Sequence, residues 1–362
     1  MASILLDEIR AQPGALEALA DGLAGSDSPW AALEPLFQRS QARPHIILTG
    51  MGASYFASLG LQQLLARMGL RLAALEASTL LDYPDTWFEP KAVVVGVSQS
   101  GETQEVVSLT RRLKGRYPVV AITNTEASTL AKLADAVVPL NLGIEKSVSA
   151  VKTFTGTLLA LWWLGEHVLG RYNRTTWLQE VQALCRDLRT LLQGPTPFAD
   201  VLGAELAGHS THLFVSTGVS LATAAQGALM DKEIMGHPAE ALSAGYLKHG
   251  PMEAVGPESV LVFTGLPEVL DEDTIQLVWD AQRFGAATYG IGRGEGWRSI
   301  LGPERLSVVP SCTELSWLVK EALILQLSIN QAGMALGLEP GVSRKVSKVY
   351  TGSGRHGVTP TQ

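Results

Sequence analysis

The run Ala92-Val93-Val94-Val95-Gly96-Val97-Ser98-Gln99-Ser100-Gly101-Glu102-Thr103 is an apolar stretch that ends in a hydroxyl-rich turn, and a helical pattern (Glu105, Val106, Val107, Leu109, Leu113) follows at once. A junction of this kind can bind an anion. The first turn of a helix offers unpaired backbone N–H groups and the positive end of the helix dipole. Ser98, Ser100 and Thr103 add hydroxyl donors, and Gly101 lets the backbone approach a ligand. The loop carries no lysine and no Walker spacing, which points to a monophosphate on a small organic body rather than a nucleoside triphosphate. A Ser-x-Ser-Gly alone is equally compatible with an ordinary N-capped helix. The full string V-S-Q-S-G-E-T is more specific than that.

The elements that must position this loop follow from periodicity. His45 to Ser54 runs from a short apolar strand through glycines into a helix from Tyr55 to about Met68, and His212 to Ser220 does the same before a helix from about Leu221 to Met235. The spacing reads as an internal duplication too long for a solenoid, hence two α/β domains. Strands are predicted near 45–49, 71–76, 92–97, 118–122 and 136–140, and again near 212–216, 259–264, 286–291 and 306–309. With helices between them, the expected fold is α/β: two doubly wound parallel sheets in tandem, each an αβα sandwich. Helical patterns at about 150–170 and 176–192 join the halves, Gly194-Pro195 to Pro197 marks a break, and a helix from Thr313 to about Leu336 closes the second half. The expected division is an outer helical segment over 1–40, a first domain over 41–172, a second over 197–340 and a polar, basic tail over 341–362.

Composition sets the outer limits. A chain of 362 residues with 46% hydrophobic and 17% charged residues has material for two ordinary cores. Its net charge of −7 argues against general nucleic-acid binding. Cys185 and Cys312 have neither metal-ligand nor disulfide spacing, so reduced thiols are expected. The N-terminus lacks the basic region and long apolar core of a signal peptide. The apolar run Leu158 to Leu164 is too short to span a bilayer. A cytoplasmic enzyme with no membrane partner is expected. The seven histidines are scattered and no His/carboxylate cluster has ligand spacing, so no metal is expected.

Five strings, spread over nearly the whole chain, resemble the sugar isomerase (SIS) domain family: G-x-G-A-S at Gly50 to Ser54, S-Q-S-G-E-T at Ser98 to Thr103, E-K-S-V-S-A-V-K-T-F-T at Glu145 to Thr155, G-A-L-M-D-K-E at Gly227 to Glu233, and G-Y-L-K-H-G-P at Gly245 to Pro251. The arrangement is similar to the tandem-SIS isomerase half of glutamine–fructose-6-phosphate amidotransferase, and to free-standing glucosamine-6-phosphate deaminase and ketosamine-phosphate deglycase relatives. The resemblance implies a sugar phosphate bound by Gly52, Ser54, Ser98, Gln99, Ser100 and Thr103, with Val148 and Ser149 closing over the sugar. It implies Glu233 as the base that moves a proton between C1 and C2, and His249, supplied by the neighbouring subunit, as the ring-opening group. In the tail, Lys348 matches a lysine able to form an imine with an open-chain ketose, and Lys345 is a rival. No cofactor is needed for such chemistry. A homodimer with a shared active site is expected.

Departures from the family pattern shape the expected reaction. The chain has no early cysteine, so nitrogen is to be released, taken free or ignored rather than drawn from glutamine. A position commonly threonine is Ala53, which removes one hydrogen bond, about 1 kcal/mol. Charged positions of the catalytic helix are Gln226 and Met230. The leading expectation is an isomerase-type enzyme acting on a hexose or amino-hexose 6-phosphate with loss of the amine. The alternatives are a simple phosphosugar isomerase and a non-catalytic phosphosugar-sensing protein.

Overall fold

The computed structural model describes residues 3–38, 45–216, 218–310 and 312–345. Strands β1 (Ile46–Gly50), β2 (Leu72–Glu76), β3 (Val93–Val97), β4 (Val119–Thr123) and β5 (Ala136–Pro139) form a parallel sheet in the order β2-β1-β3-β4-β5. A second parallel sheet is built from β6 (Thr211–Ser216), β7 (Ala239–Ser243), β8 (Ser259–Leu266), β9 (Ala287–Gly292) and β10 (Leu306–Val308), in the order β7-β6-β8-β9-β10. Counted from its own first strand, each sheet has the same order, the mark of a duplicated unit. The continuous Val/Ile runs of β1, β3 and β4 are buried along their whole length, as parallel strands covered on both faces must be.

The second sheet has one strand more than its apolar runs predict. The additional strand, β7, pairs only with β6 at the sheet edge, and its Glu240 and Ser243 are exposed. An edge strand with a solvated side has no continuous apolar run to reveal it.

Seven helices position the site: α1 (Ile4–Ala24), α2 (Ala53–Arg67), α3 (Gln104–Leu113), α4 (Lys152–Val168), α5 (Arg174–Gln193), α6 (Leu221–Ile234) and α7 (Glu314–Ala335). Helix α1 is not an outer cover. Its Leu5, Ile9, Leu16 and Leu23 are buried in a core that also contains Trp163 of α4 and Leu318, Leu325 and Ile329 of α7. Buried amides and hydroxyls fix its register: Gln12 Nε2 donates to Gln326 Oε1 (2.8 Å), Thr155 Oγ1 donates to Gln12 Oε1 (2.8 Å), and Ser3 Oγ donates to Asn330 Oδ1 (2.5 Å). Helix α1 thereby joins the first unit to the second. Helices α2 and α6, each following the first strand of its sheet, cross closely at Gly60, where a Cβ would lie 2.6 Å from the Ala222 Cβ. That crossing brings α6 to the first sheet. Cys185 and Cys312 are free thiols, and burial pushes Cys185 up to about 12. Among the described residues, no helix is long and apolar enough to cross a membrane.

Candidate active site

In a sheet of this order the chain leaves β1 and β3 toward opposite faces, which opens a crevice at their carboxyl ends. A cavity of about 330 Å³ lies there. The turn after β1 and the start of α2 contribute Met51, Gly52, Ala53 and Ser54, and the turn after β3 and the start of α3 contribute Gln99, Ser100, Thr103 and Glu105. Glu145, Val148, Ala150 and Thr153 form a third wall, and Leu229 and Glu233 of α6 a fourth.

The turn after β3 is held by its own small side chains. Ser98 is buried beneath it, with Oγ 2.7 Å from Thr103 Oγ1 and accepting the Gly101 N–H at 3.1 Å. Gly101 has φ 67°, and a Cβ there would lie 2.0 Å from Ser128 Oγ, so only glycine fits. Thr103 is the N-cap residue of α3, but its hydroxyl is engaged with Ser98 and makes no capping bond. The first-turn N–H groups of α3 are left without a side-chain cap. Glu102 turns away and accepts the Thr129 N–H at 2.7 Å, which holds its carboxyl below the ordinary value.

The third wall is tied down as firmly. Glu145 Oε1 accepts the N–H groups of Val151 (2.9 Å) and Thr153 (3.1 Å), and Oε2 accepts the Thr153 hydroxyl (2.6 Å). Lys152 bridges to Glu8 of α1 at 2.8 Å and donates to the Ile144 carbonyl at 2.7 Å. The start of the tail lies along this wall: Val148 N–H donates to the Gly341 carbonyl at 2.8 Å, and Leu5 N–H to that of Pro340 at 3.1 Å. Arg344 then donates to the Ile234 carbonyl at the end of α6 (2.9 Å), as a cation at a helix C-terminus should.

Of the residues singled out by sequence, Gly52, Ser54, Gln99, Ser100, Thr103, Val148 and Glu233 meet around this cavity. Ser98 and Ser149 are buried and do not line it. His249 is exposed, on the turn after the short helix Ala244–Leu247, and is also outside the lining. Lys345 is described, whereas Lys348 lies outside the described residues. Glu105 and Glu145 were not anticipated as wall residues, although Glu145 opens the E-K-S-V-S string. Gln226 and Met230 are buried, and Gln226 Nε2 donates to the Ala150 carbonyl at 2.8 Å, tying α6 to the third wall. The lining residues include three carboxylates and neither Lys nor Arg.

The second sheet has the same crevice, between the ends of β6 and β8, and Glu321 of α7 fills it. This carboxyl is fully buried, accepts the Gly265 N–H at 2.7 Å, and makes a very short contact with the Thr223 hydroxyl. Thr223 Oγ1 also lies 2.8 Å from the Ser220 carbonyl. One hydroxyl proton cannot serve both acceptors, and a carbonyl can only accept. A protonated Glu321 that donates to Thr223 satisfies all three groups. Burial, the largest influence, pushes this carboxyl up to about 7. The fold also brings together His212, Asp231 and His237, which showed no ligand spacing in sequence.

Residues 40–166 match the SIS domain family. The chain is 28% identical over 354 residues to the isomerizing glutamine–fructose-6-phosphate aminotransferase of Pyrobaculum aerophilum, covering 96% of this chain and 57% of that protein. To the enzyme of the same name from Methanocaldococcus jannaschii it is 31% identical over 215 residues, 58% of this chain and 19% of that one. The chain thus spans little more than half the length of the Pyrobaculum protein. Among solved structures, it superposes on the C-terminal domain of glucosamine-fructose-6-phosphate aminotransferase from Francisella tularensis with a TM-score of 0.82 at 21% identity, covering 94% of this chain and 98% of that one. It superposes on glucosamine-6-phosphate deaminase from Thermotoga maritima with a TM-score of 0.75 at 20% identity, covering 96% and 99%. At these identities the superpositions speak for the fold. The residues that match the SIS domain family, 40–166, include strands β1 and β3, whose carboxyl ends open the cavity.

Proposed function

We propose that this cavity binds a hexose or amino-hexose 6-phosphate and that the chain is an aldose/ketose isomerase-type enzyme that releases the amine, a glucosamine-6-phosphate deaminase or a related deglycase. The observation that carries the reading is the cavity itself, with an uncapped, hydroxyl-lined helix N-terminus on one wall and the Glu233 carboxylate on another. In this reading Ser54, Gln99, Ser100 and Thr103 hold the phosphate, Ser98 holds Thr103 in place, and Gly52 and Val148 border the sugar, with Ser149 buried beside Val148 in the closing segment. Glu233 moves the proton between C1 and C2 of the open chain. The lining holds no cation to balance a phosphate dianion, which supports a lysine arriving from outside the described walls. Lys348, or its rival Lys345, comes from a tail whose start lies beside Val148, and its neutral amine condenses with the ketose carbonyl to an imine with loss of water. His249, exposed and away from this cavity, opens the ring in the site of a second subunit, so the working unit is a homodimer.

Gln226 and Met230 favour a second reading, a phosphosugar isomerase without nitrogen chemistry, because the helix bearing Glu233 presents no second charge at those buried positions. One experiment separates them. Purified protein is incubated with glucosamine 6-phosphate, a ketosamine 6-phosphate, glucose 6-phosphate and their unphosphorylated forms, while amine release and ketose 6-phosphate are measured. Amine and ketose 6-phosphate from the phosphorylated amino sugars alone is the expected result. Ketose from the aldose phosphate with no amine release selects the isomerase. Binding of the phosphates without turnover of any of them leaves a sensing protein and overturns the enzyme.

A further inference from the structure

At the foot of the second sheet, His212 is the second residue of β6, Asp231 lies in the last turn of α6, and His237 follows that helix. His212 and Asp231 are fully buried, and His237 is half-buried. His212 Nδ1 and Asp231 Oδ2 are 2.6 Å apart, and the two imidazole rings cross at 65° with centroids 5.1 Å apart. Each of the three side chains offers one ligand atom, and these atoms lie within 4.8 Å of one another. The pairing of His212 with Asp231 does not satisfy the cluster. His212 Nε2, Asp231 Oδ1 and His237 Nδ1 are all buried without a hydrogen-bond partner. Three such orphans at one place are unusual, because buried polar atoms are nearly always partnered.

We propose that His212, Asp231 and His237 bind a zinc-class divalent metal ion. Two imidazoles and one carboxylate select zinc, cobalt or nickel over magnesium or calcium, which require oxygen ligands. Ligand nitrogens around a tetrahedral zinc stand about 3.3 Å apart, so an ion would draw the three ligand atoms together from a spread of at most 4.8 Å. The half-buried His237 leaves a side from which the ion and a water, as fourth ligand, can enter. Residues 231 and 233 are two apart on α6 and so point about 200° apart around the helix axis. The ion therefore sits on the opposite side of the helix from Glu233 and acts as a brace, clamping the end of α6 and the Gly236–Pro238 turn to the foot of β6.

The test uses tag-free full-length protein. After dialysis against a chelator, Co²⁺ is titrated in and followed by its visible d–d absorption, then displaced with Zn²⁺, and the melting temperature is recorded with and without Zn²⁺. One Co²⁺ per chain with tetrahedral-type bands, displaced by one Zn²⁺ and accompanied by a raised melting temperature, is expected. His237→Gln, at the half-buried position, and Asp231→Asn, of the same shape, should each weaken Co²⁺ binding at least tenfold. If Asp231→Asn does not fold, His237→Gln decides. No stoichiometric binding by the wild type, or equal binding by a folded His237→Gln variant, overturns the proposal and leaves a buried, hydrated His–Asp pair.

Discussion

Replacing Glu321 by Gln tests whether a neutral acid fills the second crevice. The native carboxyl is pushed up to about 7, against 4.5 for the free group. The folded chain then binds this proton more tightly than the unfolded chain. The resulting stabilisation is fully present below pH 4.5 and is lost as pH rises through 7. At about 1.4 kcal/mol per tenfold change in proton affinity, the whole effect is about 3 kcal/mol, and most of it falls between pH 5 and pH 8. Glutamine mimics the protonated acid: its carbonyl can accept the Gly265 N–H and its amide can donate to Thr223, without titrating. Urea unfolding of both proteins at pH 5, 6, 7 and 8 is the assay. The stability of Glu321→Gln relative to wild type should rise by about 2–3 kcal/mol from pH 5 to pH 8. Glu321→Leu, which orphans the Gly265 N–H and the Thr223 hydroxyl, should lose about 1–3 kcal/mol at pH 5. Parallel pH curves for wild type and Glu321→Gln would refute the neutral-acid argument.

Three further outcomes are expected. Gly101→Ala should destabilise the chain by at least about 1–3 kcal/mol and abolish the thermal shift given by a hexose 6-phosphate, since the residue has φ 67° and its Cβ would meet Ser128; an unchanged melting temperature and ligand response would count against the loop geometry. Glu233→Gln should slow deuterium wash-in at C2 of a bound sugar phosphate by about 10²- to 10⁴-fold, read by NMR, with little change in phosphate affinity; exchange at the wild-type rate would remove Glu233 from the chemistry. Mixing inactive Glu233→Gln and His249→Ala chains should restore part of the activity once subunits have exchanged, and no recovery after verified exchange would argue against a shared site.

The first sheet was legible because its central strands are covered on both faces. Continuous burial demands the Val/Ile runs of β1, β3 and β4, and a turn of glycines and serines follows β1 and β3 where the chain passes into a helix. The same logic located the turns that contain Gly52, Ser54 and the Ser98–Thr103 loop. It failed at β7, whose exposed Glu240 and Ser243 give it the look of a loop, and at α1, whose amphipathic pattern says that a face is buried but not against what.

What the sequence alone determined is local: the strand–turn–helix units, their duplication, and the loop chemistry, each a matter of neighbours a few residues apart. Tertiary structure decided what depends on distant segments meeting. Only the crossing of α2 and α6 at Gly60 brings Glu233 to the far wall of the first cavity. Only the packing of α7 beneath β8 puts Glu321 into the second crevice, where a charged-looking residue of a helix becomes a fully buried acid held by Gly265 and Thr223. His212 is 19 residues from Asp231, with no spacing between them that signals a pair, until the return of α6 along β6 sets them 2.6 Å apart. The physical reason is the same each time: periodicity reports which face of an element is buried, but burial partners and the desolvation that changes a side chain's chemistry exist only once the elements have packed.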